Sequence, residues 1–480
     1  MLYFILYLLY CAFTLPLAHA HEVEDPDFDY FKLPFNQSFP KEPSCLEDLK
    51  KADQLTHKYG LLELYNLAKE RDGTLLAAKA QLEGKYAEKG IARSNLLPHI
   101  DTGASLSKID HTLLNYGTTP KMQGLYSAYN YSVTLTQPLF DVESWYGFKS
   151  ADLRIQSAEA DVLYAEQNLI QRLAEAFFNV IIAYNTEDLT RKERDRLIEV
   201  LREAETKFRE RTTDIVSVYE AKAALDAQEA KLEKAIGERE NFESELSRIA
   251  GIRISARQIK AISNFEPASP EPSDVSAWIT YTLKNHPVLI KARNELAVAE
   301  NEVKRAYAGY LPTAQLYSSY SVRKGDAFLS ELKTEDFAYG VTLKMPVFEG
   351  FRTKSTVSAY AAMRKEASEK LKAYEDDLSK KTEIAFSNVK ANQRLYAALK
   401  KQLESACVQL KGVRKGRAIG TRTQTDLINA EQAYFNAEVE LKNALCNDLI
   451  LSIRLKAASG CLSVDEIKKL DKLLNDKVIY

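Results

Sequence analysis

The sequence predicts a mainly α-helical chain with four membrane-type β-strands, built as a tandem duplication. Three observations carry this. The chain repeats its landmarks once, each copy holds a proline-free helical stretch of about 70 residues, and each copy holds short strands that alternate apolar and polar residues.

The repeat comes first, because a missed repeat misreads the fold. Asn95-Leu-Leu-Pro98-His-Ile100 recurs as Gly309-Tyr-Leu-Pro312-Thr-Ala314. Tyr131-Ser-Val-Thr-Leu-Thr-Gln-Pro138-Leu-Phe140 recurs as Tyr339-Gly-Val-Thr-Leu-Lys-Met-Pro346-Val-Phe348. Glu175 with Phe178-Asn179 recurs as Glu383 with Phe386-Ser387, and Val218-Tyr-Glu-Ala221 as Leu427-Ile-Asn-Ala430. The offsets are 214, 208, 208 and 209, in order. Repeat 1 is therefore read as 61–252 and repeat 2 as 275–460, joined by a proline-rich linker at 253–274.

Within each repeat the order is helix, strand, strand, long helix, turn, helix. Residues 61–97 read as one helix, with Leu61, Leu64, Leu67 and Ala68 on one face and an end before Pro98. Residues 142–213 form the first long helix; Leu163, Ile170, Phe177 and Tyr184 fall every seventh position, as in a coiled coil. Residues 215–250 form another helix. Repeat 2 reads as helices 275–311, 350–418 and 423–459. The two shorter helices of each repeat together match the long one, so they stack beside it in a rod of about 100 Å.

The strands are read at about 99–108, 126–137, 313–323 and 337–345. Tyr129, Tyr131, Val133 and Leu135 form one face of the second, and Asn130, Ser132, Thr134 and Thr136 the other. This pattern suits a half-buried soluble hairpin or a membrane barrel with its apolar face outward. Residues 1–20 favour the second: an uncharged apolar run ends at Ala18-His19-Ala20 and reads as a signal peptide, the alternative being a short membrane anchor. No later segment reaches the length of a spanning helix. Four strands cannot close a barrel and open edges are not tolerated in lipid, so several copies must share one; three would supply twelve strands.

Composition excludes other classes. Lys plus Arg (65) nearly balances Asp plus Glu (67), against the basic bias of a nucleic-acid binder. There is no G-x-S-x-G, H-E-x-x-H, P-loop or dinucleotide fingerprint, so no catalytic residue and no cofactor is assigned. Scattered histidines and the lack of a C-x-x-C argue against a metal site. After the signal, Cys45, Cys407, Cys446 and Cys461 remain; Cys446 and Cys461, about 22 Å apart if helical, should not pair with each other, and the sequence leaves open whether Cys45 pairs with Cys461. Residues 21–58 read as a poorly structured extension and 461–480 as a tail.

The duplicated Leu-Pro motif, the strand ends Pro138-Leu-Phe and Pro346-Val-Phe, and Gly420-Thr-Arg-Thr-Gln-Thr-Asp426-Leu-Ile-Asn-Ala430 together resemble the TolC-like outer-membrane efflux and type I secretion channels. The resemblance spans about 61–460. It implies a homotrimer with a twelve-stranded barrel in outer-membrane lipid and a coiled-coil helical tunnel reaching into the periplasm. It also implies a periplasmic adaptor (membrane fusion protein) and an inner-membrane ABC or proton-driven pump. The competing reading is an exported coiled-coil scaffold without a pore.

The resemblance also assigns an aperture at the helix turns. Arg422 matches the arginine of the family's G-T-R-T motif, which holds the aperture shut, and Asp426 matches an acidic position lining the constriction. Arg422 and Asp426 are four apart and share a helix face if the turn has already become helix there, in which case a plain surface pair is worth about 0.3–0.5 kcal/mol. The family's second acidic ring falls on Asn429, its repeat 1 aspartate on Ser217, and its latch tyrosine on Arg417. These departures make Asp214 or Glu220 the expected acid for Arg422 or Arg417. The charged run from Arg191 to Arg211 reads as a solvated face or an adaptor-docking surface.

Overall fold

The computed structural model describes residues 58–113, 122–262, 266–267, 269–327, 330–472 and 474–475. The expectations for residues 1–20, for most of the extension 21–58 and for Cys45 lie outside the described residues. Cys407, Cys446 and Cys461 are free thiols.

The described residues open with α1 (Leu61–Lys69) and α2 (Gly73–Ser94). The single helix expected over 61–97 is thus broken. Asp72 causes the break: its carboxylate accepts from the Leu75 amide at 2.9 Å, starting a new helix, and pairs with Arg172 at 2.8 Å. A β-hairpin follows, β1 (His99–Leu113) and β2 (Met122–Phe140), then the long helix α3 (Val142–Arg209) and the returning α4 (Ile215–Ala250).

Repeat 2 has the same order: α5 (Val275–Asn285), α6 (Pro287–Ala308), β4 (Thr313–Ala327), β5 (Ser330–Lys344), α7 (Arg352–Ala418) and α8 (Gln424–Ala458). Here too the expected helix 275–311 is split. Pro287 lacks the amide needed to continue, and His286 before it is extended (ψ 129°), capping α6 by accepting from the Val288 amide. Between the repeats lie a 3-10 turn (Ala256–Gln258) and β3 (Ala261–Ile262). The C-terminal region forms α9 (Val464–Asp471) and β6 (Leu474–Asn475), and β6 pairs with β3. The described part of the C-terminal tail is therefore structured and tied to the linker through β6.

The helices form one layer. α3 runs between α2 and α4 on one side and α6 and α8 on the other; α7 packs on α6 and α8. The main core gathers α1, the middle of α3, the ends of α4 and α8, and α9. Phe177 and Phe178 lie at its centre with no exposed surface, their rings edge to face at 5.5 Å. The seven-residue stripe predicted along α3 holds at Ile170 and Phe177, yet Leu163 is 41% exposed. A straight helix drifts about 20° per heptad, which carries Leu163 off the buried seam.

β1, β2, β4 and β5 form one antiparallel sheet in the order β1-β2-β4-β5. All four strands are longer than the sequence pattern suggested, 15 to 19 residues. The register sorts side chains by face, with Lys108, Lys324, Lys333 and Glu335 at the hairpin end of the otherwise apolar face and Ile109 and Tyr317 on the polar one. One face carries Ile100 and Leu106, then Tyr129, Tyr131, Val133 and Leu135, then Leu316, Tyr320 and Val322, then Phe337, Tyr339, Val341 and Leu343. The other carries Asp101, Ser105, Asn130, Ser132, Thr134, Ser319, Ser321 and Thr342. The apolar face is open, with Tyr339 75% and Val341 61% exposed. β1 and β5 are edge strands without an outer partner among the described residues.

Candidate functional site

Each long helix turns back at the end remote from the sheet, and the two turns are built alike. α3 ends at Glu210, Arg211 takes a left-handed conformation (φ 61°), and the Thr212 amide donates to the Lys207 carbonyl at 2.9 Å. α7 ends at Ile419, Gly420 is left-handed (φ 76°), and the Thr421 amide donates to the Gly416 carbonyl at 2.8 Å. This is the helix-ending geometry that favours glycine. The threonine hydroxyls repeat the symmetry, each donating to the same carbonyl at 3.0 Å.

The next helices begin with matched caps. Asp214 caps α4: its carboxylate accepts from the Ser217 amide at 3.1 Å and the Ser217 hydroxyl at 2.8 Å. The Ser217 hydroxyl and then its amide hold the Asp214 carboxyl below its usual range. Thr423 caps α8 in a reciprocal box. The Asp426 amide donates to the Thr423 hydroxyl at 3.1 Å, and the Thr423 amide donates to the Asp426 carboxylate at 2.9 Å. The Thr423 amide, its hydroxyl, and to a lesser degree the Arg422 charge lower the Asp426 carboxyl.

This corrects the shared helix face of Arg422 and Asp426. The helix starts at Gln424, so Arg422 precedes it and Asp426 faces back to its own cap. Arg422 is exposed and forms no ion pair within 4.0 Å among the described residues. Asn429 is exposed on α8.

The expected partners of Arg417 also change. Arg417 donates to Glu203 on α3 at 2.8 Å, not to Asp214 or Glu220. Glu220 instead accepts from the Thr425 hydroxyl at 2.7 Å. Hydrogen bonds from Lys207 first, and then from Arg417, hold the Glu203 carboxyl low against the opposing effect of burial. Two contacts thus tie the repeats together at the turns, Arg417–Glu203 and Thr425–Glu220. A third lies further along, where buried Glu431 of α8 sits between Arg196 of α3 and Arg414 of α7, the latter at 3.1 Å.

Sequence reasoning missed Glu203, Thr425 and Glu431. A signal for the last was available: an acid inside the apolar pattern Leu427, Ala430, Tyr434. The charged run 191–196 is largely self-paired, as in Lys192–Asp188 at 2.7 Å and Arg196–Glu193 at 2.6 Å, with Arg196 reaching across to Glu431. Among the described residues, no group of three His, Cys, Asp or Glu side chains is placed to hold a metal ion. No helix among them is long and apolar enough to cross a membrane.

The family model described as outer membrane efflux protein matches residues 64–252 and 278–461, one match per repeat. The chain belongs to the outer membrane efflux protein family. Among relatives, it is 26% identical over 441 residues to the outer membrane protein TolC of Escherichia coli strain K12, covering 88% of this chain and 87% of TolC. It is 25% identical over 422 residues to the alkaline protease secretion protein AprF of Pseudomonas aeruginosa, covering 85% and 86%. Two solved structures share the fold. They are the CmeC outer membrane channel of Campylobacter jejuni (TM-score 0.72, 18% identity, 96% of this chain and 98% of that one) and VceC of Vibrio cholerae (TM-score 0.70, 17%, 83% and 96%). As an outer membrane efflux protein, this chain is an outer-membrane transport channel and not an enzyme. Channels of this kind work with efflux or secretion machinery.

Proposed function

We propose that three copies of the chain close one twelve-stranded barrel in the outer membrane and one helical tunnel below it. The tunnel's far end, at the α3–α4 and α7–α8 turns, is the aperture. The observation that carries this is the four-stranded sheet, with one open apolar face and two edges unpaired among the described residues. Lipid accepts the face but not the edges, so the sheet must continue into other copies. Residues 1–20 serve as the export signal, and 61–252 and 275–460 are the two repeats.

At the aperture, Arg417 and Glu203 hold the α7–α8 pair against α3, and Glu220 takes Thr425 from the same pair. Arg422, Asp426, Asn429, Ser217 and Asp214 surround the constriction. Arg422 points its charge at neighbouring copies, having no ion-pair partner within its own among the described residues. A periplasmic adaptor and an inner-membrane ABC or proton-driven pump deliver the cargo, in type I protein secretion or multidrug efflux.

Planar-bilayer recording tests this. The detergent-extracted chain is expected to insert as small, stable conductance steps, and Arg422→Glu and Arg417→Glu are each expected to enlarge them. Insertion with unchanged conductance in both variants would remove the latch. A water-soluble elongated particle that never inserts would favour the scaffold reading and end the barrel.

A further inference from the structure

In the helical layer, α4 and α7 are the two outer columns in the half of the molecule near the turns. α4 leans on α3 through Ala221, Gln228, Leu232 and Leu246, and α7 leans on α8 through Asn392, Leu399, Ala406 and Leu410. At 100° per residue, the face of α4 opposite its buried stripe carries Asp226, Glu233 and Glu240 at seven-residue spacing. Beside them run Ala223, Ala230, Gly237 and Ser244, also seven apart. The far face of α7 carries Arg394, Lys401 and Lys415 on one heptad line, with Val408 in the remaining place, beside Ala391, Ala398, Ser405 and Gly412. One outer column thus presents an acidic line and the other a basic line, each next to a line of small residues.

The heights match as well. Lys401 stands 17 residues back from the end of α7 at Ala418, and Glu233 stands 18 residues on from the start of α4 at Ile215. Arg394 and Glu240 stand 24 and 25 residues from the same ends. Ala398 and Gly237 stand 20 and 22. α4 and α7 run in opposite senses from turns at the same end, so a ring that places α7 beside the α4 of the next copy keeps every neighbour antiparallel. Arg394, Lys401, Glu233 and Glu240 are all exposed. Among the described residues, Arg394, Lys401 and Glu233 form no ion pair within 4.0 Å, and Glu240 meets only the adjacent Arg239, at 3.4 Å.

We infer that the far face of α7 docks on the far face of α4 in a second copy of this chain. Lys401 then meets Glu233, Arg394 meets Glu240, and the small residues let the helix axes close to about 8 Å. The inference rests on the multi-copy reading above and specifies which surfaces join and what selects their register. Opposed charge lines reject a slip of half a heptad and reject like faces, α4 on α4 or α7 on α7, by repulsion.

A cysteine pair tests the seam in the full-length chain. At Gly237 an added Cβ meets nothing within 4 Å. Gly237→Cys with Ala398→Cys, in a Cys407→Ser background, is expected to give a covalent ladder up to the full oligomer under mild oxidation, while each single cysteine gives none. Charge reversal adds an independent arm. Lys401→Glu with Arg394→Glu is expected to lose the oligomer band at a detergent temperature and salt where the parent keeps it, and Glu233→Lys with Glu240→Arg in the same chain to restore it. An oligomer of normal mass with no ladder and no effect of reversal would overturn the seam while leaving the multi-copy channel standing. A parent chain that is monomeric by mass in detergent would overturn both.

Discussion

Arg211 occupies a position where the backbone is left-handed, and its counterpart in the second repeat is Gly420. An L-residue there costs about 1–2 kcal/mol, partly offset by the lower entropy of its unfolded state. Arg211→Gly is therefore expected to stabilise the first turn by about 0.5–1 kcal/mol, read as slower amide exchange over residues 205–215. Asp214 and Asp426 give the same turns a pH dependence. Both carboxyls are lowered in the folded chain, so the stability they contribute is present above the ordinary carboxylate range and is lost as pH falls through their folded values. Acidification below about pH 4 is expected to loosen both caps. Loosened caps are expected to raise channel conductance as pH falls, Asp426→Asn is expected to flatten that rise, and a profile unchanged by the substitution would remove this cap from the aperture. The turns were legible from the repeat, since residues 211 and 420 differ by the common offset. The partners were not, because Glu203 reaches Arg417 across 214 positions through the rotation of two helices, which heptad spacing leaves undetermined.

At the level of elements, the helical spans were legible because the apolar stripes are long and proline-free. Both breaks, at Asp72 and at His286-Pro287, had local signatures that the longer apolar pattern obscured. A capping aspartate before Gly73-Thr74 and a proline at the first helical position each begin a helix rather than continue one. The strands ran longer than their alternation because a face pointing into water or lipid near its ends needs no strict pattern. Two stability predictions belong here. Phe177→Ala empties the centre of the core and is expected to cost about 3–5 kcal/mol in thermal unfolding followed by circular dichroism. Glu431→Gln leaves Arg196 and Arg414 facing each other without their shared acid. It is expected to cost about 3 kcal/mol, the lower end for breaking a buried pair, because both arginines keep some solvent contact. Glu431→Leu is expected to recover part of that loss, which a purely electrostatic clamp would forbid.

Across the whole molecule, the sheet and the helices divide the work. The open apolar band from Tyr129 to Leu135 spans six residue steps, about 20 Å of strand, and extends further through Leu125 and Leu343. That is the reach of a tilted strand through hydrocarbon. Val341→Lys is expected to cost about 2–4 kcal/mol if it faces mid-bilayer and to sharply reduce the heat-stable band in outer-membrane extracts. Thr342→Lys, one residue on and facing the other way, is expected to leave that band intact. Equal loss from both would mean that the sheet does not lie in lipid. The faces of β2 and β5 were legible from alternation; those of β1 and β4, which alternate less cleanly, and the strand order β1-β2-β4-β5 were not, since they depend on which hairpin edges meet and in what register.

α3 and α7 are each uninterrupted, at 68 and 67 residues, while their neighbours are shorter helices stacked end to end. Each long helix is thus a splint across the joints of the columns beside it. Seven residues added to α3 alone would displace its upper stripe by about 10 Å against α6 while leaving its lower stripe on α8 untouched. The displaced half would then bury nothing in register. The span of the duct is accordingly a stepped quantity. It changes by whole heptads, in every column of the layer together, and a gene that arose by doubling has to make each such change twice.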